Sequence, residues 1–94
     1  MIDSTHCLIV VATDREAAPF REAGLRTVVS GVGRVNAAIA TTLAIQGFES
    51  PPLVIASGIA GALPGVDVMS IGGVVIGDRA IAADEGIRTP TGFQ

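Results

Sequence analysis

The feature that most constrains the fold is a repeated order of apolar runs and helix-forming segments. The apolar run CLIVVA at 7–12 is followed at 14–24 by DREAAPFREAG, whose charges favour a helix and whose last glycine is typical of a helix end. A second run, LRTVVSG at 25–31, is followed at 33–47 by GRVNAAIATTLAIQG, and a third, PPLVIASG, occupies 51–58. Strands that alternate with helices predict an α/β fold with a largely parallel sheet and right-handed crossovers.

The later part of the chain is predicted to add to this sheet. The segment VMSIGGVVIGDRAIAAD at 68–84 indicates a turn and one or two further strands, the second starting at Gly72 and Gly73. The last residues, RTPTGFQ, are turn-like and suggest no closing helix or strand. At 94 residues a single domain over 1–94 is expected, yet 49% of the residues are hydrophobic, which favours strands buried on both faces. We therefore expect part of a larger, truncated fold.

Charge and composition exclude several kinds of partner. The net charge is −3, the basic residues are scattered, and the only aromatic residues are Phe20, Phe48 and Phe93. Neither a phosphate-tracking patch nor a stacking platform for nucleic acid is available. The single cysteine, Cys7, cannot form an internal disulfide, which is typical of the cytoplasm. No apolar run is long enough to cross a bilayer, and the N-terminus lacks the basic residues of an export signal.

Candidate site residues lie directly after each strand, because ligands of parallel sheets bind beyond the carboxyl ends of the strands. After the first strand, Asp14 and Glu16 place two carboxylates at the start of a helix. In one interpretation Asp14 caps the helix and Glu16 offsets its positive end. In the other, Glu16 orients a water or a hydroxyl group. His6 lies before the strand, away from this edge, and is predicted to be a solvated terminal histidine.

The segment after the second strand, SGVGRVN at 30–36, begins like a dinucleotide-binding fingerprint. Asn36 stands where the third glycine belongs, and no acidic residue occurs at 53–57 to hold a ribose. The preferred interpretation is that Gly31 and Gly33 form a tight turn into a closely packed helix.

The segment after the third strand, SGIAGALPG at 57–65, has two interpretations. Gly58 and Gly61 permit a positive φ or a close backbone approach, and Ala60 and Ala62 keep the surroundings small. Main-chain groups here would then face a ligand. Alternatively, the glycines only allow the chain to turn.

The whole pattern resembles a known superfamily. The order VVATDREAAPF, VVSGVGRVNAAIATTLAI, PLVIASGIAGALPG and IGGVVIGDRAIAADEGIRTPTGF is similar to the N-terminal half of the purine nucleoside phosphorylases and nucleosidases, and most similar to their futalosine hydrolase branch. The resemblance runs from about Cys7 to Gln94, and its motifs are specific only in combination. It implies a three-layer α/β/α fold with a central largely parallel or mixed sheet, a homo-oligomer, and no cofactor or metal.

The resemblance also implies a reaction and site residues. The reaction would be cleavage of the N-glycosidic bond of futalosine to hypoxanthine and dehypoxanthinyl futalosine, within bacterial menaquinone biosynthesis. Glu16 would be the catalytic residue that positions the attacking water, while Thr13, Ile59, Ala60 and Gly61 would bind the substrate. A fixed carboxylate suits this chemistry, because bond breaking builds oxocarbenium character on the sugar. Alternatives are a methylthioadenosine/adenosylhomocysteine or aminofutalosine nucleosidase, a purine nucleoside phosphorylase, and a catalytically inactive fragment.

Departures from the superfamily pattern separate these reactions. Bacterial phosphorylases place an arginine and a serine or threonine, both serving phosphate, where this chain has Ala56 and Ile59. Water is then the expected nucleophile. Ile59 also differs from the serine of the methylthioadenosine nucleosidases, which favours the futalosine branch, and Gly73 replaces the usual aspartate of an I-G-D-V-V motif.

Two further expectations concern the purine and the rest of the nucleoside. The family's general acid is an aspartate further along the chain, and its motif is not matched by Asp78, Asp84 or Glu85. Arg34, in the first turn of the second helix, is either plain surface or a partner for an acidic substrate group such as a benzoate.

Overall fold

A computed structural model of the chain describes residues 4–65 and 70–94. The chain divides into two compact units, Met1–Gly61 and Ala62–Gln94. The first unit begins with a 3₁₀ turn at Ser4–His6. No helix in the two described ranges is long and apolar enough to cross a membrane. The strands and helices of the first unit are β1 Cys7–Val11, α1 Asp14–Glu22, β2 Thr27–Val29, α2 Arg34–Ile45 and β3 Leu53–Ala56.

The three strands of the first unit form one parallel sheet in the order β2-β1-β3. Ile9 is in register with Thr27 on one side and with Ile55 on the other. The crossovers β1-α1-β2 and β2-α2-β3 run in opposite directions along the sheet, so right-handed connections place α1 and α2 on opposite faces. The predicted α/β class with a parallel sheet is confirmed.

The core is built on β1, which is buried at every residue. Cys7, Ile9 and Val11 pack with Ala17 of α1, and Phe20 covers the edge of this cluster. Leu8 and Val10 alternate with them and therefore point to the other face. Each fully buried branched side chain contributes about 1.5–3 kcal/mol to folding. The expected burial of strands on both faces holds for β1, whereas the large side chains of β3 are 38–45% exposed.

Helix α2 packs through its small residues. Its half-buried positions recur at helical spacing, while the larger apolar residues Val35, Ile39 and Leu43 are 68, 55 and 65% exposed. Alanine and threonine on the inner face let the helix axis lie close to the sheet. The half-buried positions are Ala37, Ala40, Thr41 and Ala44.

In the second unit, the strands predicted within 68–84 are not found among the described residues 70–84. The predicted turn at its start falls partly on 66–69, which lie outside the described residues. Strand structure requires a neighbour for the backbone hydrogen bonds. No strand pairing is found for the described part of 70–84, and its apolar side chains are exposed, for example Ile71, Val74 and Ile76.

The end of the sequence forms strands where only turn-like residues were predicted. Strands β4 Arg88–Thr89 and β5 Gly92–Phe93 pair antiparallel. Ile87 and Gln94 extend the pairing, since the N–H of Gln94 donates to the carbonyl of Ile87 at 2.8 Å. Gly92 adopts φ 137°, a conformation that side-chain-bearing residues rarely adopt, so the glycine allows the tight connection.

His6 is not the solvated residue that its terminal position suggested. Its Nε2 lies 2.9 Å from the carbonyl of Pro51 and 3.2 Å from Oγ of Ser50. The imidazole ring of His6 packs edge-on against the phenyl ring of Phe48. The guanidinium of Arg26 lies 4.4 Å from the centre of the Phe48 ring. This cluster ties the amino end of β1 to the α2–β3 connection, at the opposite end of the sheet from the candidate site.

Candidate functional site

The loops that follow β2 and β3 are held against the carboxyl end of β1. The N–H of Ser30 donates to the carbonyl of Val11 at 2.8 Å, and the N–H of Gly31 donates to that of Ala12 at 3.1 Å. From the other side, the N–H of Ser57 donates to the carbonyl of Val10 at 2.9 Å. These hydrogen bonds hold the segments after β1, β2 and β3 together at the edge of the sheet where ligands are expected.

Thr13, not Asp14, caps helix α1. The hydroxyl of Thr13 accepts the N–H of Glu16 at 3.3 Å, and the Glu16 carboxylate in turn accepts the N–H of Thr13 at 3.1 Å. This is a capping box. Asp14 is the first helical residue and forms a solvent-exposed ion pair with Arg21 at 3.6 Å. The prediction that Asp14 caps the helix was wrong. The threonine-x-x-glutamate spacing from Thr13 to Glu16 is the sequence signal that identifies the true cap.

The two carboxylate oxygens of Glu16 have different surroundings. Oε1 receives both the N–H and the hydroxyl of Thr13, at 3.1 and 3.0 Å. Oε2 faces the turn after β3, where a Cβ placed on Gly58 would lie 3.3 Å away. The Glu16 residue is half-buried. The structure thus joins the first and third candidate segments, although they lie about forty residues apart in the sequence.

The sequence predicts that Gly58 and Gly61 permit either a positive φ or a close backbone approach. The described glycines with positive φ do not include Gly58 or Gly61. Gly58 instead allows a close approach, because a side chain there would crowd the Glu16 carboxylate. A Cβ on Gly61 would meet no atom within 4 Å, so that glycine has no comparable steric role.

The predicted substrate-binding residues Ile59, Ala60 and Gly61 follow Gly58 and are exposed, Ile59 by 95%. Thr13, the fourth, is exposed as a residue but is bonded to Glu16. After β3, a side chain at Gly58 would meet the carboxylate, whereas one at Gly61 would not. Ile59, Ala60 and Gly61 remain predicted substrate contacts.

An open cleft of about 250 Å³ lies between the carboxyl ends of the strands and the start of α2. This volume falls just below the range of about 300–1,000 Å³ common for small-molecule pockets. Ser57, which precedes Gly58 in the chain, is part of its wall. The lining residues are Val10, Val11, Ala12, Ser30, Gly31, Gly33, Arg34, Ala37, Ala56 and Ser57.

The loop before α2 has the tight turn predicted for it. Gly31 and Gly33 adopt φ values of 84° and 100°. Asn36, which occupies the place of the third fingerprint glycine, donates from Nδ2 to the carbonyl of Val32 at 2.8 Å. Its side chain thereby fills space next to Gly31, where a Cβ would lie 3.3 Å from Nδ2. The asparagine stabilises the loop where the dinucleotide fingerprint would require a glycine.

Charged residues at this edge of the sheet include Glu16 in the first turn of α1 and Arg34 at the start of α2. Arg34 is exposed and forms part of the cleft wall. Among residues 4–65 and 70–94, no three His, Cys, Asp or Glu side chains are grouped as a metal site would require. A carboxylate with one oxygen held by two donors and the other facing the turn after β3 can accept a hydrogen bond from a water or a hydroxyl.

Comparison with known proteins places this site in context. A family model described as the phosphorylase superfamily matches residues 23–94, a range that includes the cleft loops and Gly58 but not Thr13 or Glu16. No solved structure matches the chain significantly.

Several curated proteins that the chain resembles are named as nucleosidases. A 5'-methylthioadenosine/S-adenosylhomocysteine nucleosidase of Staphylococcus haemolyticus is 46% identical over 55 residues, which are 58% of this chain and 23% of the relative. Proteins of the same name from Staphylococcus aureus and Staphylococcus epidermidis are 49 and 44% identical, over 52 and 58% of this chain. The matched segment spans only 20–23% of the length of these relatives. Because the family model covers well over half of the sequence, the chain belongs to the phosphorylase superfamily.

Proposed function

We propose that this chain carries part of the active site of a nucleosidase, in which Glu16 positions the water that cleaves the N-glycosidic bond of a purine nucleoside. The observation that carries the proposal is the Glu16 carboxylate, with Oε1 bonded to Thr13 and Oε2 facing Gly58 at the ligand-binding edge. The naming of the curated relatives as nucleosidases supports it.

The chemistry follows from the charge and position of this group. The bond between the anomeric carbon and the purine nitrogen breaks, and a bond from that carbon to the water oxygen forms. The carboxylate accepts a hydrogen bond from the water, takes up the proton that the water loses as its oxygen bonds to the carbon, and stabilises the positive charge that develops on the sugar. The purine leaves with a proton from a general acid, which the superfamily resemblance assigns to an aspartate outside the motifs of this chain. Neither step requires a metal or a cofactor.

Futalosine is the proposed substrate, and the proposed role is in menaquinone biosynthesis. Two features support it: Ile59 differs from the serine of the methylthioadenosine nucleosidases, and the cleft wall includes Arg34, whose guanidinium suits a benzoate. A second candidate, hydrolysis of methylthioadenosine or adenosylhomocysteine, is favoured by the names of the relatives. The two candidates share the bond that is cleaved and differ in the group attached to the ribose.

Phosphorolysis is the less favoured reaction. Ala56, which occupies the position of the phosphorylase arginine, contributes to the cleft wall and supplies no positive charge for phosphate. Arg34 is the cation on that wall, so a test with phosphate is still informative.

We also propose that both compact units belong to one domain, and that the protein acts as a cytoplasmic homo-oligomer. The family match supports the first of these, because it runs from 23 to 94 and so includes residues of both units. Inactivity of the 94-residue chain by itself is the remaining alternative, supported by its short coverage of the relatives.

The test is release of purine base by the full-length protein in phosphate-free buffer. Futalosine and methylthioadenosine are supplied separately, and hypoxanthine and adenine are measured by chromatography. Release of hypoxanthine that phosphate does not accelerate supports the proposal, and preferential release of adenine supports the second candidate. Formation of a sugar 1-phosphate only when phosphate is present would identify a phosphorylase instead.

A further inference from the structure

We propose that Thr13 is a positioning residue, whose hydroxyl and backbone N–H hold Oε1 of Glu16 so that Oε2 is directed at the ligand-binding edge. This gives Thr13 a role other than the substrate contact that the superfamily resemblance implies. The inference rests on the proposed role of Glu16.

The first argument is that both donors of Thr13 converge on one oxygen. The N–H and the Oγ1 of Thr13 lie 3.1 and 3.0 Å from Oε1 of Glu16. Two donors on one carboxylate oxygen restrict rotation about the last torsion of the side chain, which is otherwise broad. The orientation of Oε2 is thereby fixed before a ligand arrives. Groups that are already oriented do not need to be reorganised during the reaction.

The second argument is that the hydroxyl of Thr13 performs two separable functions. It accepts the N–H of Glu16 at 3.3 Å, which caps the helix, and it donates to Oε1, which holds the carboxylate. An aspartate at position 13 would retain the first function, because its side chain is a favoured helix cap. It would lose the second, because an ionised carboxylate is only an acceptor and repels Glu16. A serine would retain both functions, and a valine would retain neither.

The third argument is that Oε2 faces the turn after β3, where Gly58 leaves room for it. A Cβ on Gly58 would lie 3.3 Å from Oε2, so the carboxylate occupies its present position because this residue has no side chain. Glu16 is also half-buried and anchored in the first turn of α1. Loss of the Thr13 hydroxyl would therefore allow Oε1 to turn away, with a corresponding loss of alignment at Oε2. A misplacement of about 1 Å is sufficient to lower a rate by about two orders of magnitude.

The experiment compares Thr13→Ser, Thr13→Asp and Thr13→Val in the full-length protein, measuring kcat and KM for nucleoside hydrolysis together with the thermal melting temperature. We expect wild-type kcat for Thr13→Ser and a fall of about tenfold or more for Thr13→Asp and Thr13→Val, with KM little changed. Thr13→Asp is expected to melt like the wild type, because its helix cap is intact. A reduced rate in a variant of unchanged stability separates positioning from a merely structural role.

Two results would overturn the inference. Wild-type kcat in Thr13→Asp would show that only the helix cap matters. A raised KM with unchanged kcat would show that Thr13 binds the substrate directly. Glu16→Gln, assayed in parallel, separates this inference from the proposed function. If Glu16→Gln is inactive while all Thr13 variants are normal, only the inference fails, and if Glu16→Gln retains full turnover, the proposed function fails with it.

Discussion

A Cβ placed on Gly58 would lie 3.3 Å from Oε2 of Glu16, so the turn after β3 lies next to the carboxylate in the first turn of α1. Oε1 of the same carboxylate is held by two donors from Thr13. The side chain therefore has little freedom to yield if Gly58 acquires a side chain.

Gly58→Ala is expected to lower kcat about tenfold by displacing the carboxylate by a few tenths of an ångström. The measurement is steady-state kinetics with the substrate that the full-length protein hydrolyses. Gly77→Ala is the matched control, because the added Cβ would lie 3.9 Å from the carbonyl of Arg79, an ordinary contact. Equal rates for the Gly58 and Gly77 variants would contradict the account of this contact.

Arg34 is expected to distinguish a carboxylated nucleoside from an uncharged one. If futalosine binds with its benzoate near Arg34, Arg34→Gln should raise KM for futalosine about twofold to fivefold, which corresponds to an exposed ion pair of about 0.4–1 kcal/mol. Methylthioadenosine carries no carboxylate, so its KM should not change. A similar increase for both nucleosides would show that Arg34 does not act on the benzoate.

Unfolding experiments on Gly31→Ala, with Gly24→Ala as the control, test the packing of Asn36 against Gly31 in the loop before α2. Both have positive φ, 84° and 78°, so replacement by alanine costs each about 1–2 kcal/mol in backbone conformation. A Cβ on Gly31 would in addition lie 3.3 Å from Nδ2 of Asn36, whereas a Cβ on Gly24 would meet nothing within 4 Å.

We therefore expect Gly31→Ala to lower the free energy of unfolding more than Gly24→Ala does. The excess should diminish when Asn36→Ala is added to Gly31→Ala, because the contact is then removed. Equal losses in the two single variants would rule out the packing of Asn36 against Gly31.

The first unit could be predicted from the sequence because its strands and helices have strong local signals. Cys7–Val11 is a continuous apolar run and is buried at every residue, as a central parallel strand requires. The helix ends were marked by glycines, and Gly24 follows α1 with φ 78°. The same reasoning placed the candidate residues after the strands.

Other features depend on contacts that the local sequence does not specify. The apolar residues at 71–76 have the composition of a strand, but strand formation also needs a pairing partner, and the described residues of that unit supply none there. Composition does not distinguish Gly58 from Gly61, and only the folded arrangement of α1 and β3 shows that a side chain at Gly58 would crowd Glu16. The Thr13 cap was predictable from its spacing to Glu16.

The most direct test of the central claim is the turnover of Glu16→Gln by the full-length protein in phosphate-free buffer. Glutamine is accepted at this position of a capping box, so the melting temperature should stay close to that of the wild type. Loss of the negative charge should lower kcat by about two to four orders of magnitude. Normal turnover by a normally folded Glu16→Gln variant would contradict the assignment of Glu16 as the catalytic carboxylate.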